Sequence, residues 1–289
     1  MQTHPPAVET IISSNPRVRF VQTIRDAWQY RELFAAFVSR DVKVRYKQTA
    51  LGVIWVILQP LLAGAVFAAV FGALTGRFSG AEGLLFYMAG LVPWTAFQTG
   101  VLMAAASMET NANLVSKVYF PRVVMPGAHA IGAMLDFAIG FVVVLAVALL
   151  VGNVSPLLFA LLPVLLVIQL ATAWGIGLFF AALNAQYRDV KYALPFAMQI
   201  LMMMTVLVPL ADWSKLLSNS ETFSQYADWL PVVLGLNPLA GVIETYRALL
   251  IGGSIDGLLL VKSLAMSLVL LLAGLRFFSA RERRLVDIL

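Results

Sequence analysis

Long apolar runs alternate with short polar stretches along most of this chain. A helix needs about 20 apolar residues to cross a bilayer core about 30 Å thick. Runs of suitable length cover residues 51–74, 84–108, 123–151, 157–183, 192–210 and 257–278. The pattern therefore predicts an all-α integral membrane protein with six transmembrane helices and a membrane domain over residues 51–289.

The first 50 residues have a different pattern. Residues 1–30 are polar and contain no apolar run typical of a cleavable signal peptide, so we expect a cytoplasmic tail. Residues 31–50 combine helical apolar spacing with a basic face. The apolar side of that helix contains Leu33, Phe34, Phe37, Val38 and Val44. We interpret it as a basic amphipathic helix on the cytoplasmic membrane interface, with packing on a partner protein as the alternative.

Composition and charge agree with a polytopic membrane protein. Hydrophobic residues make up 61% of the 289 residues and charged residues only 12%, far from the balance of a soluble domain. The chain has no cysteine, which excludes disulfides and thiolate metal sites. Sixteen of its 20 Lys and Arg residues lie in segments that this topology makes cytoplasmic. The positive-inside rule then predicts cytoplasmic termini and explains the basic pI without nucleic-acid binding.

Catalytic signatures are missing from the sequence. It contains no P-loop, no H-E-x-x-H and no G-x-S-x-G pattern, and its two histidines cannot form a metal cluster by themselves. Asp136 is the one clear acid inside a predicted span. It is either a proton or ion site, as in a secondary carrier, or a structural carboxyl facing the bundle interior. A membrane-bound transferase with paired carboxylates is a distant third interpretation.

Four motifs together resemble a known family. They are RDVKVRYKQTALGVIWVILQP, KVYFPRVVMP, YRDV and NPLAGVIETYR, in chain order. These motifs are similar to the membrane subunit of bacterial ABC-2-type polysaccharide exporters, which move O-antigen, capsular polysaccharide or teichoic acid. The resemblance extends from about residue 31 to the C-terminus.

The resemblance implies a homodimer in the bacterial inner membrane, assembled with two copies of a separate ABC ATP-binding protein. That partner would bind ATP and Mg²⁺, so this chain would hold no cofactor and would not be an enzyme. Residues 211–246 would form short re-entrant outer helices between spans five and six. Residues 109–120 would be the helix that couples to the ATPase, and proline at Asn113 is expected to break it. Its candidate contact residues are Asn111, Asn113, Leu114, Lys117 and Tyr119.

The expected substrate is a glycan on polyprenyl pyrophosphate. Its phosphates suit a basic cluster at headgroup depth, formed by Arg40, Lys43, Arg45 and Lys47. Plain anchoring to membrane lipids explains the same charges equally well. Flat aromatic faces next to an amide suit a sugar path, which makes Trp55, Gln59, Phe67 and Phe71 candidate pore-lining residues. Ordinary helix packing is the alternative for each of them.

The sequence thus predicts the channel-forming subunit of an ATP-driven exporter of lipid-linked polysaccharide, with O-antigen as the first candidate substrate. An ABC-2 exporter of a drug or lipid is one alternative. A proton-coupled secondary carrier that uses Asp136 is the other.

Overall fold

A computed structural model describes residues 30–47, 54–75, 80–117, 120–151, 154–187, 189–219 and 222–288. Within these ranges the secondary structure is helical, without strands. The α-helices are α1 Arg31–Tyr46, α2 Ile54–Thr75, α3 Gly80–Thr110, α4 Ala112–Lys117, α5 Val124–Val151, α6 Leu157–Asn184, α7 Val190–Met202, α8 Trp213–Ser218, α9 Leu230–Leu234, α10 Pro238–Ile251 and α11 Gly257–Ile288. A π-helical turn, Met203–Leu207, continues α7, and two 3₁₀ turns, Leu210–Asp212 and Ser224–Tyr226, flank α8.

Six helical segments of the described chain are long and apolar enough to cross a membrane. They are α2, α3, α5, α6, α7 with its π-helical turn, and α11, in the order that the hydropathy pattern predicts. The all-α class with six spans is therefore confirmed. The largest difference is at the C-terminus, because α11 continues without a break to Ile288, beyond the apolar run that ends at residue 278.

Helix α3 lies at the centre of the bundle. It packs against α2, α5, α6 and α10, and it buries a larger share of its length than any other described span. Its aromatic side chains Trp94 and Phe97 are fully buried in the main core. Gln169 of α6, also fully buried, donates a hydrogen bond to the carbonyl of Pro93, 3.0 Å away. The side-chain N–H of Gln169 is thereby satisfied inside the apolar bundle.

Helices α6 and α11 cross at unusually short distance. At the crossing, glycines face each other, Gly175 on α6 and Gly274 on α11. A Cβ placed on Gly175 would lie 2.6 Å from the carbonyl carbon of Leu270, closer than real side chains approach backbone. Small residues let helix backbones come together in a membrane, where packing replaces the hydrophobic effect as the main attraction between helices.

We predict that Gly175→Ala destabilises the protein by about 3 kcal/mol, because the added methyl group meets backbone atoms that cannot rotate away. Thermal unfolding of the purified protein, compared with wild type, measures this. Gly257→Ala is the matched control, since a Cβ at that position meets no atom within 4 Å. Equal unfolding temperatures for Gly175→Ala and the control would contradict the tight crossing.

Candidate functional site

The amphipathic helix α1 docks on its own chain. It packs against α5, and Phe37 is buried beside Phe120, with 6.0 Å between the ring centroids. Leu33, Phe34 and Val38 pack at the edge of the same cluster, which also includes Phe278 of α11. Val44, predicted on the apolar side, is instead 69% exposed. The face that was predicted to lie on lipid is thus largely occupied by protein contacts.

Two arginines of the predicted phosphate cluster have partners inside the protein. Arg40 donates to Asn111 Oδ1 at 2.8 Å, which links α1 to the residue between α3 and α4. Arg45 forms an ion pair with Asp136 of α5 and lies 2.9 Å from the sulfur of Met103. Lys43 and Lys47 are exposed. Phosphate recognition by these four cations remains a prediction.

The contact between Arg45 and Asp136 is explained by the length of α5. With 28 residues, α5 is about 42 Å long, which exceeds a bilayer core of about 30 Å by about 12 Å. Asp136 follows the first residue of α5 by about 18 Å. If the excess length lies at the α1 end, Asp136 is only about 6 Å inside the core, within reach of an arginine on an interfacial helix. With that placement, the carboxyl is shallower than the hydropathy pattern indicates.

A second polar contact lies between α1 and α5. The buried side chains of Asp41 and His129 approach within 3.2 Å, between Oδ2 and Nε2. His129 Nδ1 lies 2.9 Å from the carbonyl oxygen of Met125 and donates to it, because a carbonyl can only accept. Polar side chains of α1 thus face polar side chains of α5 at two places, Asp41 with His129 and Arg45 with Asp136.

Helix α4 forms the short connection that was predicted to couple to an ATPase. Asn113 and Lys117 are exposed on it, and Leu114 is partly buried. Asn111 is 8% exposed and faces inward, bonded to Arg40 and to the Ser107 carbonyl, so its side chain lies inside the protein. Tyr119 lies outside the described residues.

The structure also corrects the expected effect of proline at Asn113. Asn113 occupies the second position of α4, where a missing N–H is tolerated. The hydrogen bonds that close the first turn come from the backbone amides of Leu114 and Val115 to the Asn111 carbonyl, at 2.9 and 3.0 Å. Proline at Asn113 would therefore leave these two hydrogen bonds in place.

Polar contacts join the other connections at the α1 end of the bundle. Glu109, at the end of α3, accepts from Asn184 at 3.2 Å and pairs with Lys191 at 3.4 Å. Arg122, just before α5, donates to the Glu282 carbonyl of α11 at 3.0 Å. The connections around α4 are therefore tied to each other and to the last span.

The predicted pore-lining residues lie on two faces of α2. Trp55 and Gln59 are exposed, on a stripe that continues through Leu62 and Val66. Phe67 and Phe71 are partly buried against Tyr87 of α3, with ring centroids about 6 Å apart. Helix packing explains these two phenylalanines, and their pore-lining role remains a prediction.

Gln59 also lines a cavity inside the bundle. The cavity has a volume of about 90 Å³, and its wall includes Asp136 together with Thr95 and Thr99 of α3. Several water molecules fit into such a space, since one needs about 10–15 Å³. Two predicted site residues, Gln59 and Asp136, are thus brought to a common polar cavity.

The opposite end of the bundle contains a buried arginine. The hydropathy pattern places it between spans five and six and does not indicate that it is buried. Arg247 of α10 is 4% exposed. It donates to the carbonyls of Val206 and Phe86, pairs with Glu244 at 3.1 Å, and lies over the Phe86 ring at 3.9 Å. Burial lowers the pKa of Arg247, and the Glu244 carboxylate opposes that shift.

These contacts stabilise the point where span five ends. The π-helical turn Met203–Leu207 and the extended residues after it leave backbone groups without helical partners. Trp213 donates a hydrogen bond to the Met204 carbonyl at 3.1 Å, and Arg247 donates one to the Val206 carbonyl. The backbone amide of Leu210 donates to Glu244 Oε1 at 3.3 Å. Side chains thus replace the missing helical hydrogen bonds, and Trp213 attaches α8 at this end.

The motif NPLAGVIETYR contains the parts of this arrangement. Asn237 caps α10 by accepting from the Leu239 amide at 3.1 Å, and it donates to Thr205 of the π-helical turn at 2.9 Å. Pro238 occupies the first helical position, where it is favoured. One turn apart on α10, the partly exposed Glu244 and the buried Arg247 form an ion pair. The spacing of Glu and Arg three residues apart was the signal available in the sequence.

The fold defines a multi-pass membrane protein with six helices long and apolar enough to span a bilayer, and α1 packs on the bundle that they form. The chain belongs to the ABC-2 type transporter family, whose model matches residues 32–218.

Curated relatives match almost the whole chain. An O-antigen export system permease protein, RfbA, of Myxococcus xanthus is 26% identical over 269 residues, covering 92% of this chain and 99% of the relative. The protein of the same name from Klebsiella pneumoniae is 28% identical over 89% of this chain and 95% of its own. The polysialic acid transport protein KpsM of Escherichia coli is 24% identical, with 87% and 94% covered.

Proposed function

We propose that this chain is the membrane permease of an ATP-driven polysaccharide exporter, with a lipid-linked O-antigen as its cargo. The observation that carries the proposal is the similarity over 87–92% of the chain to permeases named for O-antigen and polysialic acid transport. Of these, the O-antigen relatives share the higher identity, 26–28% against 24%. This favours a polysaccharide over a drug or lipid as the substrate.

The proposed assembly is a homodimer in the bacterial inner membrane with two copies of an ABC ATP-binding protein. ATP and Mg²⁺ belong to that partner, since the chain has no nucleotide-binding motif. Support for the dimer comes from α2, whose exposed stripe contains Trp55, Gln59, Leu62 and Val66. A second copy facing this stripe would enclose a path lined by an aromatic ring and an amide, which suit sugars.

The contacts at the α1 end suggest how ATPase motion reaches the membrane. A force on the exposed side of α4 is transmitted to Asn111, directly before this helix, and from there to Arg40 of α1. Through Asp41 and Arg45, α1 is attached to span three. Displacement of α4 would therefore shift α1 relative to the bundle and alter access to the path at this end.

The pairing of Asp136 disfavours a proton-coupled carrier. Ionisable groups in a span commonly pair with one another when they are structural, and Asp136 pairs with Arg45. A proton relay also needs a series of exchangeable groups. At this end of the bundle, the charges of Arg45 and Asp136 instead attach α1 to α5.

Removal of the chain from its native host tests the proposed function. We expect loss of long-chain polysaccharide at the cell surface and accumulation of polyprenyl-linked glycan on the cytoplasmic side, with recovery on complementation. Unchanged surface polysaccharide would contradict the proposal.

We predict that Lys117→Glu weakens association with the ATP-binding partner at least tenfold, because Lys117 is exposed on α4 and a reversed charge at an interface costs more than about 1.4 kcal/mol. Co-purification of the partner with tagged permease measures this. Lys215→Glu, an exposed lysine on α8, is the matched control. Equal recovery of the partner with both variants would remove α4 from the proposed interface.

The proposed orientation gives a labelling prediction. With both termini cytoplasmic, Ser224 lies on the outer side of the membrane and Lys117 on the cytoplasmic side. Because the chain has no cysteine, Ser224→Cys and Lys117→Cys are unique labels. An impermeant maleimide added to intact spheroplasts should modify Ser224→Cys alone. Modification of Lys117→Cys alone would reverse the topology.

A further inference from the structure

A second, larger cavity opens at the end of the bundle opposite α1. It has a volume of about 540 Å³, within the range of about 300–1,000 Å³ typical of small-ligand sites. Its wall is formed by the 3₁₀ turn after span five, α9, α10 and the first turn of α11. The lining includes charged and hydroxyl side chains, Glu244, Arg247, Asp256 and Ser254, and apolar ones, Leu210, Pro231 and Val232.

The charges of this cavity disfavour an anionic ligand. Arg247 directs its guanidinium to Glu244 and to the carbonyls of Val206 and Phe86, so it is occupied by the protein. The two carboxylates, Glu244 and Asp256, leave the lining with a net charge of −1. The two carboxylates would repel a phosphate or a uronate that enters the cavity. Arg247 does not offset this repulsion, because its guanidinium is already bonded to the protein.

The same groups suit a ligand with many hydroxyl groups. Both hydrogen bonds that the described residues make to Glu244 go to Oε1, from Leu210 and Arg247, which leaves Oε2 as an acceptor. Asp256 likewise uses Oδ1 for the Leu259 amide, which leaves Oδ2. Carboxylates accept strong hydrogen bonds from hydroxyl donors, and the apolar wall suits the C–H faces of a sugar ring.

We propose that this cavity binds neutral hexose units of the exported glycan, at a site within each protomer and distinct from a path between protomers. The proposal rests on the proposed function for its choice of cargo. A site of this kind holds a short stretch of glycan as it leaves the spans, so that the chain does not slide back between ATPase cycles.

Binding of neutral trisaccharides to the full complex tests the site independently of export. The probes are maltotriose and mannotriose, with trigalacturonate and glycerol 3-phosphate as acidic counterparts. Saturation-transfer NMR is carried out in lipid nanodiscs, because sugar-headed detergents would compete. We expect at least one neutral trisaccharide to bind in the millimolar range and both acidic probes to bind at least tenfold more weakly.

Two variants and one control define the location. Asp256→Asn keeps the cap of α11 and removes the charge, and we expect about tenfold weaker binding of the neutral trisaccharide. Ala248→Phe places a ring in the cavity wall and should abolish binding. Asp228→Asn, an exposed acid outside the lining, should bind like wild type.

Several results would overturn the site. These are no signal from either neutral trisaccharide, equal binding by wild type and both cavity variants, or preferred binding of glycerol 3-phosphate, which indicates a lipid headgroup. Surface polysaccharide export by the wild-type complex in the same host would then show that the proposed function still holds without this site.

Discussion

Replacement of Arg247 with Met is expected to lower the free energy of unfolding by about 2–3 kcal/mol, the cost of leaving its hydrogen-bond acceptors without a charged donor. Met keeps a long apolar stem but leaves Glu244 without its guanidinium. It also leaves the carbonyls of Val206 and Phe86 without their donor. Both carbonyls are buried, where an unsatisfied acceptor is costly. Thermal unfolding and the yield of folded protein measure the effect.

Two further variants separate charge from hydrogen bonding at this position. Arg247→Lys keeps the charge, but its compact ammonium cannot span the three separate acceptors that the planar guanidinium reaches. An intermediate loss of stability is therefore expected. Glu244→Gln in the Arg247→Met background removes the unpaired carboxylate and should recover part of the loss. Lys215→Met, an exposed lysine of α8, is the control. Stability within about 1 kcal/mol of wild type for Arg247→Met would show that the buried pair does not hold this end of the bundle.

The second large effect is expected at Arg45 and Asp136. Removing either charge leaves the other one without its partner, although only about one fifth of each side chain is exposed to solvent. We expect the interaction free energy between α1 and α5 to weaken by about 1.5–3 kcal/mol. Arg45→Gln and Asp136→Asn should therefore reduce export by similar amounts. The double variant should be no worse than either single one, because the pair acts as a unit.

This cycle also distinguishes attachment from phosphate recognition. If Arg45 binds the substrate's pyrophosphate, Asp136→Asn releases the guanidinium and export is retained, whereas Arg45→Gln alone is defective. Surface polysaccharide per amount of permease in the membrane is the readout. Lys43→Gln, on the exposed side of α1, is the matched control. Loss in Arg45→Gln without loss in Asp136→Asn would contradict the attachment role.

The spans were predictable because each depends on local sequence. A run of about 20 apolar residues is enough to specify a membrane helix, whatever its neighbours are. Two boundaries were less accurate for a physical reason. The tail after Phe278 is polar but rich in helix-forming Arg, Glu and Leu, so α11 continues to Ile288 where hydropathy alone ends it. Span five ends early, in a π-helical turn, because side chains distant in sequence take over its hydrogen bonds.

The site was only partly predictable because its contacts are long-range. Arg40 and Asn111 are 71 residues apart, and Arg45 and Asp136 are 91 apart. Both arginines were identified as candidates from their position before the first span, and Asp136 from its unusual place inside an apolar run. Which of them pair follows only from how α1 lies across α5. Arg247 was missed because its spacing from Glu244 indicates an ion pair but not that Phe86 and Val206, far away in sequence, enclose the arginine.

ATP-driven movement of a lipid-linked glycan tests the central claim most directly. The permease and its ATP-binding partner are reconstituted in vesicles with a polyprenyl-pyrophosphate-linked glycan, and transport is measured as protection of the glycan from an added glycosidase. We predict protection that requires ATP and persists when the proton gradient is collapsed. Protection that is driven by a proton gradient without ATP would contradict the account.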